Sequence, residues 1–305
     1  MIPADELKEY YLSPLRAMLA KELRGKGWGQ RAISRVLGIS QAAVSKLLNE
    51  ERGLKLAELG IDELEAELLV GRLLELLASG RVVEASALAH RYWLLVAASG
   101  GACRLHKRNN WSLVSCTACT LALYPRLTAH RGMALADLER AIVLTESSTR
   151  LASVAPEVMV NIARAVPGAV SVRDVAAVPG RLAKVGGRLI ARRKPAFGAS
   201  KHLAEVLLAS GYSACIDIRF DERVERALEE LGLEWAWFSS EDYPSPNPAA
   251  AAVHERRRKG TLPRVVADTG GRGIEPVTYI FGASAVEVVL CAERIARSVV
   301  AQPSP

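Results

Sequence analysis

Apolar positions along the first hundred residues recur with the spacing of helices. Short amphipathic runs at 7–26, 30–37 and 41–49 are separated by glycines, and two longer runs follow at 62–79 and 82–98. Asp62 with Glu65 three residues on has capping-box spacing and predicts a helix start. Gly100-Gly101 interrupts the pattern, and helical periodicity resumes at about Leu135. From Pro167 onward, short β-branched runs alternate with helical ones. They predict strands at 182–185, 188–191, 214–220, 234–238, 264–268 and 277–281, and helices at 199–209, 221–231 and 284–299. Gly186-Gly187 reads as a hairpin turn, and the proline-rich 243–248 as a loop. The class is α/β: an all-α front part at 1–60, a helical connector at 61–134 and an α/β domain at 135–305.

The 305 residues are half apolar and carry a net charge of +7, a balance that favours polyanionic partners. No run approaches the ~20 apolar residues of a membrane helix, since 85–98 is broken by His90 and Arg91. The first residues, Met1-Ile-Pro-Ala-Asp-Glu, lack a basic segment leading into an apolar one, so a cytoplasmic protein without membrane contact is expected.

Residues 30–49, QRAISRVLGISQAAVSKLLN, have the pattern of a helix-turn-helix. Ile33, Leu37, Val44, Leu47 and Leu48 are placed to pack two short helices; Gly38 suits a left-handed turn and Ser40 a cap. Arg31, Arg35, Ser40, Gln41, Ala42, Ser45, Lys46 and Asn49 form the expected double-stranded DNA operator contacts, Gln41 and Ser45 on bases, Lys46 and the arginines on phosphates. The apolar helices between Leu64 and Ala98 could add a homodimer contact.

Cys103, His106, Cys116 and Cys119 form a C-x2-H…C-x2-C array, and two such pairs across a polar loop suit a structural zinc ion. An iron–sulfur cluster, a disulfide or a fortuitous set of thiols are the other readings of that spacing.

The rear part holds several glycine-containing runs: AVPGR at 177–181, FGASKH at 197–202, the DIRF segment around Arg219 and GGRGIEP at 270–276. Ala199 and Ser200 open a helix whose free amides would favour an anion, and Gly270, Gly271 and Gly273 allow close backbone approach to a ligand. Arg181, Arg219, His202 and Glu275 add charged or titratable contacts. With PEV at 156–158, these motifs make residues 153–299 resemble the ThiN domain of archaeal thiamine phosphate synthases. That resemblance implies a three-layer α/β/α fold similar to class II aldolase-like domains. It also implies Arg181 and His202 as the residues that matter for joining a pyrimidine diphosphate to a thiazole phosphate.

The helix-turn-helix in front of such a domain resembles the archaeal ThiR-type regulators of thiamine biosynthesis and transport genes. On that resemblance the expected function is regulation, with thiamine phosphate or diphosphate as effector and no turnover; the alternative is a catalytic or bifunctional thiamine-phosphate synthase. The absence of a kinase domain, and of an evident acidic cluster for Mg²⁺, weights the expectation towards a sensor that is not an enzyme.

Overall fold

The computed structural model describes residues 6–49, 53–109 and 115–303. The chain divides into two compact units, Met1–Met133 and Ala134–Pro305.

The first unit is helical. A π-helical turn, Leu7–Leu12, runs into α1 (Ser13–Gly25), followed by α2 (Gln30–Leu37), α3 (Gln41–Leu48), α4 (Gly53–Glu58), α5 (Glu63–Ala78), α6 (Val82–Ala98), α7 (Cys103–Asn109) and α8 (Ala118–Leu123). Gly38 ends α2 with φ +63°, the left-handed conformation expected of a helix stop. The Ser40 hydroxyl accepts the Ala43 amide at 3.1 Å and caps α3. Asp62 caps α5 by accepting the Glu65 amide at 2.8 Å. The unit's core is built from Tyr11, Leu15, Leu23, Ile33, Val44, Leu69, Leu73 and Leu95, all buried. The cysteine cluster at 103–119 lies on two short helices, and of the polar loop expected between its pairs, Lys107, Arg108 and Asn109 continue α7. Asn110 and Trp111, part of that loop, lie outside the described residues.

In the second unit, α9 (Ala129–Ser147) enters from the first and is followed by β1 (Ile162–Ala165), β2 (Val175–Ala177), β3 (Leu182–Val185), β4 (Arg188–Ala191) and β5 (Ala196–Phe197). Then come α10 (Lys201–Ser210), β6 (Ala214–Arg219), α11 (Glu222–Glu230), β7 (Trp235–Phe238), α12 (Pro248–Arg258), β8 (Val265–Asp268), β9 (Val277–Gly282) and α13 (Ala285–Ala301). Seven strands form one sheet in the order β5-β2-β1-β6-β9-β8-β7, with only β7 and β8 parallel. β3 and β4 form a separate hairpin whose turn residues, Gly186 and Gly187, both have positive φ.

Sequence period sets the layers. On β6, Cys215 joins the buried cluster under α10 and α12 together with Tyr279 and Phe281 of β9. The alternate residues Ile216 and Ile218 are fully buried on the other face, where α13 packs on β6 and β9. Asp217 shares parity with Cys215 and stands directly opposite Tyr279 in the register. A carboxylate and a phenol are thereby set side by side on the α10/α12 face. Asp137 of α9 is fixed by three partners, accepting from Arg164 Nε at 2.7 Å and from the first amides of α13 at 2.8 and 3.4 Å.

Candidate functional site

Asn161, buried just before β1, organises the neighbourhood of the cleft. Its Oδ1 accepts the amides of Ile162 and Val178 at 2.9 and 3.1 Å, and its Nδ2 donates to the Val178 carbonyl at 3.3 Å. The turn 178–181 is thus tied to the sheet. Arg181 closes that turn with its amide on the Val178 carbonyl, 3.1 Å away, and carries φ +64°. Its Nη1 donates to the carbonyl of Met159 at 3.1 Å.

Arg181, His202, Asp217, Asp268, Glu275 and Tyr279 face one cleft of about 280 Å³. It lies where β6, β7 and β8 end, beside the first turns of α10 and α12. Both helix N-termini bring the positive end of a dipole to this region; α10 has no side-chain cap on its first amides, whereas α12 opens on Pro248 and is capped by Asn247. Asn247 joins them: Oδ1 caps α12 through the Ala250 amide at 3.2 Å, while Nδ2 donates to the His202 carbonyl at 3.1 Å.

Asp217 is 3% exposed. Its Oδ1 accepts the backbone amide of Asn161, and its Oδ2 lies 4.0 Å from Arg181 Nη1. Burial, only partly offset by the Asn161 bond and the Arg181 charge, raises its pKa to about 6. His202 Nε2 is 3.0 Å from the Tyr279 hydroxyl. Desolvation of the imidazole, reinforced by the Arg181 charge, pushes its pKa below the ordinary histidine value, so the ring is neutral at pH 7. Burial drives the Tyr279 hydroxyl well above the usual phenol range, so it keeps its proton. A buried hydroxyl must donate somewhere. The tautomer of His202 sets the direction of its bond to Tyr279: where the hydroxyl donates, Nε2 is unprotonated and Nδ1 bears the hydrogen.

The glycine loop differs from expectation. Gly270 (φ +83°) admits no side chain, because a Cβ there would meet the Ile274 carbonyl at 2.6 Å. Yet the amides of Gly270, Gly271, Arg272 and Ile274 bond to Asp268, Ile274, Glu241 and Gly271 respectively. The loop therefore spends most of its donors on its own shape rather than cradling a ligand. Glu275 is likewise committed, accepting the amides of Glu157 and Val158 at 2.6 and 3.0 Å and clasping two loops at the cleft rim. Asp268, its pKa raised by burial, accepts from Ser240 Oγ at 2.6 Å, from the Ser240 amide and from Gly270.

Of the ligand residues expected from sequence, Arg181, His202, Gly273 and Glu275 line the cleft; Ala199, Ser200, Arg219, Gly270 and Gly271 do not. Arg219 instead reaches Asp221, the cap of α11, at 2.8 Å. Asp268, Ser240 and Tyr279 escaped the sequence reading, and Asp217 entered it only as the first residue of the DIRF segment. Asp217, Asp268 and Glu275, far apart in the chain, line the same cleft, but among the described residues no such set is close enough together to hold a metal ion.

In the first unit, Arg31, Arg35, Ser40, Gln41, Ala42, Ser45, Lys46 and Asn49 are all exposed on or beside α2 and α3. Cys103 opens α7, with His106 one turn on, its Nε2 3.3 Å from Glu6 Oε2. Burial first, and then repulsion among the thiolates, raises the pKa of Cys103 and Cys119. Among the described residues, no three His, Cys, Asp or Glu side chains are close enough together to hold a metal ion. No helix among them is long and apolar enough to cross a membrane.

The profile of the family described as thiamine-phosphate synthase ThiN matches residues 137–294, just over half the chain and all within the second unit. The chain belongs to the ThiN family. It is 30% identical over 177 residues to thiamine-phosphate synthase ThiN of Methanothermobacter thermautotrophicus, covering 54% of this chain and 93% of that protein. It is 32% identical over 142 residues to the bifunctional thiamine biosynthesis protein ThiDN of Methanocaldococcus jannaschii, covering 44% of this chain and 34% of that one. The crystal structure of the C-terminal domain of protein MJ0236 superposes with a TM-score of 0.50 at 26% identity, covering 55% of this chain and 95% of that domain.

These ThiN relatives carry the names of biosynthetic enzymes, which overturns the expected DNA-binding regulator that senses without turnover. The exposed polar faces of α2 and α3 had suggested it, but a pair of short helices is too common a packing unit to outweigh a family assignment.

Proposed function

We propose that this chain is a thiamine-phosphate synthase, joining a pyrimidine-methyl diphosphate to a thiazole phosphate. The observation that carries this reading is the convergence of Arg181, neutral His202 and two helix N-termini on one cleft inside the ThiN segment. The reaction breaks a C–O bond, whose electron pair leaves on the diphosphate, and forms a C–N bond from the lone pair of the thiazole nitrogen. Its barrier lies in separating the anion from an electron-poor methylene. A fixed guanidinium and oriented amides are suited to the charge that develops on the departing oxygens. His202, holding a hydrogen on Nδ1, serves as a neutral donor to a phosphate oxygen and needs no proton at working pH.

Incubation of the full chain with both phosphorylated precursors, read as thiamine phosphate formed by thiochrome fluorescence, tests the assignment. Turnover that falls by about 100-fold or more in Arg181→Ala is the expected outcome. Absence of product from the unmodified chain at any precursor concentration refutes it.

A further inference from the structure

One carboxylate oxygen in the cleft stands apart. The oxygens of Asp268 are taken by Ser240 and Gly270, and those of Glu275 by Glu157 and Val158. Asp217 Oδ1 is taken by Asn161, but among the described residues Oδ2 has only Arg181 at 4.0 Å, and that guanidinium nitrogen already donates to Met159. An acceptor on a cavity wall with no hydrogen bond from the protein constrains what enters, because a ligand that covers it without a donor loses the bond to water and gains none. Val158, Pro246, Ala249 and Ile274 line the same cleft and give it apolar wall, suited to a flat heteroaromatic ring.

We infer that Asp217 Oδ2 reads the exocyclic amino group of a 4-aminopyrimidine, accepting one of its N–H bonds and so selecting that ring from its 4-oxo counterpart. A divalent cation is the competing occupant. It asks for about six oxygens, and most of the carboxylate oxygens here are already bonded. An amino group asks for one acceptor. The inference rests on the synthase reading, since thiamine phosphate carries that ring.

The anchoring of Oδ1 makes a sharp test available. In Asp217→Asn the Asn161 amide holds the new side-chain carbonyl as it held Oδ1, which turns the amide NH₂ towards the cleft. An acceptor is thus exchanged for a donor at the same place. Calorimetry of the full chain with thiamine phosphate and with oxythiamine phosphate, its 4-oxo analogue, is the measurement. The unmodified chain is expected to favour the amino form by at least about tenfold. Asp217→Asn is expected to weaken thiamine phosphate binding by about 10- to 100-fold and to reverse the preference towards the oxo form. An unmodified chain that binds both equally overturns the inference without any variant. So does an Asp217→Asn protein of normal melting behaviour that still prefers the amino form or loses both ligands alike, as loss of a cation site would produce. An unmodified chain that binds neither compound brings down the synthase reading as well, which separates the two failures.

Discussion

Arg181 donates from Nη1 to the carbonyl of Met159 at 3.1 Å, and these two are the only non-glycine residues among those described with positive φ, +64° and +68°. Each left-handed backbone costs on the order of 1–3 kcal/mol, so surrounding contacts must hold it there. Here the two conformations support each other: the turn at Met159 presents the carbonyl that orients the guanidinium, at the wall of the cleft.

Strain and function can therefore be separated at one position. Arg181→Gly removes the guanidinium but suits the backbone, whereas Arg181→Ala removes the guanidinium and keeps the strain. Both are expected to lose synthase activity by about 100-fold or more. The glycine variant is expected to melt higher than the alanine variant by about 1 kcal/mol of stability. Equal melting of the two by denaturant titration would show that φ at 181 carries no strain.

Asp217 gives the fold a pH signature. Its pKa in the folded protein is about 6, above the ordinary value of 3.8, so between those limits the native state binds more protons than the unfolded one. Stability then falls as pH rises from 4 to 6, by up to about 3 kcal/mol for this group. Asp217→Asn removes that slope. Urea titrations of both proteins across pH 4–7 read the difference, and parallel curves would refute the raised pKa.

Tyr279 acts on His202 as a positioning residue. Without the hydroxyl in Tyr279→Phe, Nε2 loses its donor and the ring can move its hydrogen from Nδ1 to Nε2. Imidazole ¹⁵N shifts report the tautomer directly. The expected outcome is a change of tautomer together with a fall in kcat of about tenfold and little change in KM. An unchanged tautomer would assign Tyr279 to packing alone.

The sequence made some of this legible and hid the rest for identifiable reasons. Local signals survived: the Gly186-Gly187 turn, the Asp62 and Asp221 caps, and the strand runs at 214–219 and 277–282 all sit where short-range chemistry puts them. β1, β2 and β5 were missed because they are two to four residues long and rich in alanine, without the β-branched texture that marks a strand. α12 was missed because its run of alanines follows a proline-rich loop. The site was half visible. Arg181 and His202 lie in glycine-marked motifs, but Asp217 and Tyr279 become neighbours only through the β6–β9 register. The glycines at 270–271 pointed to a ligand when they serve the loop's own hydrogen bonds.

Asn161 offers the most complete test of how fold and site are joined. Its side chain makes three buried hydrogen bonds, to Ile162, to the Val178 amide and to the Val178 carbonyl. Asn161→Ala leaves those backbone groups without partners, at a cost of about 3–4 kcal/mol, seen as a fall in Tm of roughly 10 °C. The Asn161 amide that binds Asp217 belongs to the backbone and is kept, so the acid is expected to stay in place. The turn carrying Arg181 loses its tether. Assayed well below its Tm, the variant should lose activity because the guanidinium is no longer held, and this can be isolated by combining it with Arg181→Ala. If Asn161 acts through Arg181, its effect on kcat/KM disappears in the Arg181→Ala background while its effect on Tm persists. Additive losses in kcat/KM would mean that Asn161 supports the cleft by another route, through β1 itself.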